Sequence, residues 1–80
     1  MPSFTISHRF GLVVRRRRVS NGYTQEKLAE LSGLHPTYIG LIERGRRNPT
    51  LDVCERIADA LGCKIASLVA EAAKIQPPTK

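Results

Sequence analysis

The chain has little with which to build a covalent or metallic staple. Its 80 residues include two cysteines, Cys54 and Cys63, enough for one disulfide at most. Both sit among apolar residues in a helical pattern, which predicts buried free thiols. The two histidines, His8 and His35, stand apart from the cysteines without ligand spacing, so no metal is expected. Long apolar runs are also absent. A membrane-spanning helix or signal peptide is therefore not expected, and a cytoplasmic protein is. β-Branched residues are sparse, and no segment alternates apolar and polar residues as a half-buried strand does. The sequence has no nucleophile elbow, phosphate-binding glycine loop or paired carboxylate motif. It does not read as an enzyme, and it calls for no cofactor.

Acidic residues are scarce as well. Seven Asp and Glu face thirteen Lys and Arg, a net charge of +6. Such a balance favours polyanions, nucleic acid first. The charge is also clustered. Arg15, Arg16, Arg17 and Arg18 form one group, and Arg44, Arg46 and Arg47 another. The acids are mostly spread singly elsewhere.

What is present is helix. Breaks at Asn21–Tyr23, Ser32–Leu34, Gly45–Pro49, Leu61–Cys63 and Pro77–Pro78 separate five segments of helical length. The first runs from about Ser7, its cap, to Ser20, with Phe10 and Val14 toward the core. The second follows Thr24 as N-cap, with Leu28 and Leu31 as its apolar side, Ala29 allowing a close neighbour, and Gly33 as a left-handed end. The third opens on Pro36 with His35 as cap, a position where the missing N–H costs nothing. The fourth runs from Leu51 to about Leu61 behind Thr50, with a stripe of Cys54, Ile57, Ala58 and Leu61. The fifth covers about Lys64 to Lys74, with Ile65, Leu68, Val69 and Ala72 in register. The expected domain is residues 7–74, with short flexible tails at 1–6 and 75–80. Phe4 in the first tail is free to pack its ring.

Helices two and three are short and joined by a tight turn, as in a helix-turn-helix. On a wheel, Ile39 and Ile42 face the core with Glu43 beside them. Thr37, Leu41 and Arg44 fall opposite, with Gly40 and Tyr38 on the flanks. Hydroxyl, methyl and cationic groups on one face suit base edges and phosphates.

The stretch from Tyr23 to Gly62, with "TQEKLA", "SGL", "TYIG", "IERGRRNPTL" and "IADALG", resembles the phage-repressor-like, or XRE-type, helix-turn-helix family. In particular it resembles the small controller proteins of restriction–modification systems. The resemblance implies an all-α, five-helix, lambda-repressor-like domain that binds operator half-sites as a homodimer and regulates transcription. It makes Thr24, Gln25, His35, Pro36, Thr37, Tyr38, Leu41, Arg44, Arg46, Arg47 and Asn48 the candidate DNA-binding residues. Gln25 matches a glutamine that contacts phosphate and base edges, and Thr37 and Tyr38 match base- and backbone-contacting positions. Arg46, Arg47 and Asn48 lie in the loop expected to hold the backbone. The family also pairs an arginine and a glutamate at the positions of Arg18 and Glu43. Relatives often carry a long polar side chain where this chain has Pro36, which can only pack its ring against a base.

Ile65, Leu68, Val69 and Ala72 are the candidate dimer interface. Double-stranded DNA and a second copy are the expected partners, with RNA polymerase a further one; no membrane and no small-molecule effector are expected. An alternative reading is an antitoxin or protein-interaction module that uses the same fold, and a nonspecific nucleic-acid binder is a third.

Overall fold

A computed structural model describes residues 4–76. Among them lie five helices and no strand: α1 (Ile6–Ser20), α2 (Gln25–Ser32), α3 (Pro36–Glu43), α4 (Leu51–Leu61) and α5 (Ile65–Lys74). The boundaries follow local chemistry. Thr24 and Thr50 place hydroxyls on the N–H groups of Lys27 and Val53, which would otherwise be unpaired at a helix start. The cap of α1 differs from expectation. Thr5, not Ser7, accepts the His8 N–H, and Ile6 is already helical. The extended backbone that a cap requires falls at Thr5 (φ −67°, ψ 168°), so Ser7 lies inside the first turn.

One core joins the helices. Val13, Val14, Leu28, Ile39, Ile42, Ile57 and Leu68 are fully buried. Each such side chain stabilises the fold by about 1.5–3 kcal/mol before the entropy of ordering is set against it. α1 lies between α5 and α3, crossing α3 at Gly11, while α2 packs on α3 and α4. The α2–α3 pair is thus braced by α1 on one side and α4 on the other.

Several expected positions differ. Leu31 is 45% exposed, because α2 turns only the side bearing Leu28 and Ala29 inward. Cys63 is half-buried, whereas Cys54 is buried; both are free thiols. Leu68 and Ala72, expected to reach a second copy, have no exposed surface. They fill the space beneath α5 in their own chain, and Val69 (40% exposed) and half-buried Ile65 carry the outward surface. Two residues of the expected tails have defined contacts. Phe4 meets His8 edge-on at 5.3 Å, and Ile75 packs against the core. The rest of the expected tails, residues 1–3 and 77–80, lies outside the described residues.

Candidate nucleic-acid interface

The turn between α2 and α3 is held by main-chain and side-chain bonds. Gly33 adopts φ 73°, a left-handed conformation that costs glycine little, and the Leu34 N–H donates back to the Ala29 carbonyl at 2.9 Å. Arg56 of α4 then binds the freed end of α2. Its Nε donates to the Ser32 carbonyl at 3.1 Å and its Nη2 to the Gly33 carbonyl at 2.8 Å. A cation at a helix C-terminus also complements the dipole.

α3 begins as its sequence suggests. His35 Nδ1 accepts the Thr37 N–H at 3.1 Å, and Pro36 takes the first helical position. The histidine cap thereby fixes its own tautomer: Nδ1 accepts, so a neutral ring carries its proton on Nε2, toward solvent. α3 ends at Glu43 with Arg44 as its cap, and the next residue, Gly45 (φ 72°), leaves room for the His8 ring; a Cβ there would lie 2.9 Å from His8 Cγ.

The inner side of α3 is secured by a buried ionic network. Arg18 Nε donates to Glu43 Oε2 at 2.7 Å, and Arg18 Nη2 donates to Oε1 at 3.1 Å. The third Arg18 contact goes to the Tyr23 carbonyl at 2.9 Å, tying the start of α2 into the pair. Gln25 completes the cluster by donating its amide N–H to Glu43 Oε1 at 3.0 Å. The carboxylate is almost wholly buried, and the fork of the guanidinium supplies the two parallel bonds that a buried charge requires.

The rest of the arginine run divides. Arg17 is turned to α5, where its Nε donates to Glu71 Oε2 at 3.0 Å and its terminal nitrogen donates to the same oxygen. Arg16 reaches the other Glu71 oxygen at 3.5 Å. The hydrogen bond from Arg17 holds the Glu71 carboxyl below the usual range, outweighing partial burial. Arg15 is exposed and makes no ion pair among the described residues. The four arginines thus divide three ways: Arg15 to solvent, Arg16 and Arg17 to Glu71, and Arg18 to Glu43.

The outward side of the pair carries Thr24, Thr37, Arg44, Arg46, Arg47 and Asn48, all exposed, with Pro36, Tyr38 and Leu41 half-buried among them. Thr24 already uses its hydroxyl as a cap acceptor. Arg47 lies over the Tyr38 ring at 5.7 Å, which orders a loop cation next to α3. Gly40 was expected on a flank but is covered: Gln25 and Arg44 both lie over it. Arg44 and Arg46 have no acidic partner among the described residues. The face is therefore cationic, with hydroxyl and apolar groups between the charges. No three potential metal ligands come together among the described residues.

Sequence reasoning missed Arg56 as the clasp of the turn, Glu71 as the partner of Arg17, and Asn21, whose amide donates to the Leu61 carbonyl at 3.2 Å. No local pattern marks these, because their partners lie 23 to 54 residues away.

Residues 14–68 match the profile of the helix-turn-helix family. The control protein C.BamHI of Bacillus amyloliquefaciens is 49% identical over 61 residues, 75% of each chain. C.SmaI of Serratia marcescens is 48% identical over 56 residues, 70% of this chain and 67% of its own. Among solved structures, the restriction–modification controller protein C.AhdI of Aeromonas hydrophila superposes with a TM-score of 0.75 at 41% identity, covering 76% of this chain and 92% of its own.

Proposed function

Because the chain belongs to the helix-turn-helix family of DNA-binding transcription regulators, we propose that it binds operator half-sites as a homodimer with α3 in the major groove. The observation that carries this reading is the outward side of α2 and α3. Arg44, Arg46 and Arg47 are exposed there without acidic partners among the described residues, beside Thr37, Tyr38 and Leu41. Thr37 and the half-buried methyls of Leu41 face base edges, while the arginines and Asn48 hold phosphates on either side. The N-terminus of α2 meets the backbone across the groove, which brings Gln25 beside the base edges.

One such unit reads only a few base pairs, and pairing two of them about one turn of DNA apart supplies affinity and specificity. Val69 and Ile65 of α5 form the seam, continuous with exposed Ile6 and Leu51, which lie around the same shallow apolar cleft as Val69. Similarity to the control proteins supports a controller role, for which a restriction enzyme and a methyltransferase beside the gene are the expected neighbours.

Footprinting on the DNA upstream of its own gene, repeated across salt, tests the reading. Each phosphate contact releases counterions, so six contacts weaken binding about a thousandfold between roughly 50 and 200 mM salt. Affinity that barely changes over that range rules out the proposed docking. Sedimentation as a monomer at tens of micromolar rules out the dimer.

A further inference from the structure

The acid buried under α3 has a partner beyond its ion pair, and that partner faces the proposed DNA surface. Glu43 Oε1 accepts from Arg18 Nη2 and, at 3.0 Å, from the amide nitrogen of Gln25. A carboxylate only accepts, so the Gln25 amide must turn its NH2 group toward it, and its carbonyl oxygen is left on the other side. The whole amide lies over Gly40: a Cβ there would stand 3.5 Å from Gln25 Oε1, 3.7 Å from Gln25 Nε2 and 3.3 Å from Arg44 Nη1. An acceptor and a cation thus lie together over the smallest residue of the reading helix. Unlike the amide nitrogen, Oε1 bonds to none of the described residues.

We propose that Glu43 is a positioning residue for DNA readout. It holds the Gln25 amide with Oε1 outward, so that Gln25 accepts a hydrogen bond from the exocyclic amine of adenine or cytosine at one half-site position. In the major groove those two bases present an amino group where guanine and thymine present an oxygen, so a fixed acceptor separates the pairs. A freely rotating amide would present either end and separate nothing. The inference rests on the proposed docking of α3.

The test is a binding selection on randomised half-sites with wild type, Gln25→Ala, Glu43→Gln and the double variant. Wild type is expected to favour adenine or cytosine at one position by about fivefold, the worth of one hydrogen bond. Gln25→Ala loses that preference. In Glu43→Gln the NH2 meets an Arg18 donor at whichever oxygen it replaces, so the clamp loosens and the Gln25 amide is free to present either end. The preference shrinks toward that of Gln25→Ala. The double variant repeats the Gln25→Ala profile, because Glu43 acts only through Gln25.

A purely structural Glu43 predicts a different result: equal loss at every half-site sequence. That outcome, or a shift that persists without Gln25, overturns the proposal. So does a Gln25→Ala profile identical to a selective wild type, as expected if Gln25 meets only phosphate. A wild type that selects no sequence brings down the docking itself. Should Glu43→Gln not fold, side-chain 15N relaxation of wild type decides. The Gln25 amide is expected to be rigid, with an order parameter of about 0.8 or above, beside a mobile Gln76. Equal mobility of the two refutes the positioning.

Discussion

Gly11 of α1 lies against the main chain of Ile42 in α3. A Cβ at Gly11 would fall 2.0 Å from the Ile42 carbonyl oxygen and 3.1 Å from that of Glu43. The obstacle is backbone, so no side chain can swing aside to admit it. This approach brings α1 close enough for Arg18 to reach Glu43 and sets the height at which α3 is held. In an ordinary helix interior, alanine is worth about 1 kcal/mol over glycine. Here Gly11→Ala is expected to destabilise by about 2–3 kcal/mol, since α1 and α3 must separate. Urea unfolding measures it, and a variant as stable as wild type contradicts the crossing.

The Arg18–Glu43 pair is expected to be the most costly polar contact to break. The side chains are 11% and 2% exposed, and removing one strands the other's charge without water. Glu43→Ala should lose about 3–5 kcal/mol. A loss within about 0.5 kcal/mol, the range of ordinary surface changes, would show that the pair is dispensable.

The α1–α5 contact makes a pH-dependent contribution. Arg17 hydrogen-bonds Glu71 and holds its carboxyl below the ordinary value of 4.5. A carboxyl depressed in the folded state stabilises above its unfolded pKa, and the stabilisation is lost as pH falls through the folded value. Glu71→Gln is therefore expected to be less stable near neutrality, by up to about 1 kcal/mol for a pair this open to solvent. The two melting curves should converge as pH drops below about 4.5. A difference that stays constant down to low pH would assign the loss to packing.

Gly40 separates folding from binding. The atoms nearest a Cβ there are the ends of Arg44 and Gln25, which can give way, unlike the backbone at Gly11. Gly40→Ala should hold or raise stability by up to about 1 kcal/mol through helix propensity. It should weaken binding about fivefold by displacing a hydrogen-bonding side chain from its place. Fluorescence anisotropy against a half-site duplex, beside a thermal melt, reads both; unchanged affinity would mean that the two side chains have no part in binding.

Pro36 presents no hydrogen-bonding group at the first position of the reading helix. Pro36→Arg is expected to create a preference for guanine at one half-site position, by about tenfold for a good bidentate contact. The helix start survives, since His35 still caps it. An unchanged profile in a binding selection would mean that residue 36 faces no base.

How far the sequence could be read depended on the range of the forces involved. The caps at Thr24, His35 and Thr50 and the stop at Gly33 act within four residues, and all were legible. The cap of α1 was misplaced because Thr5 and Ser7 are both competent hydroxyl residues, and only the backbone angles choose between them. Periodicity found the stripe of α4 correctly. It failed for Leu31, because an eight-residue helix offers too few turns to show which of two leucines faces inward.

Sequence by itself determined the five helices, their ends apart from the start of α1, the excess of positive charge and, through resemblance, the pairing of Arg18 with Glu43. These depend on residue type, short spacing and matched motifs. Tertiary structure alone decided that Arg17 turns to Glu71 and that Arg56 clasps the α2–α3 turn. It also decided that Leu68 and Ala72 lie inward while Val69 does not, and that Gln25 is held by Glu43 over Gly40. In each case the partner comes from another helix, and its distance and direction exist only once the helices have crossed.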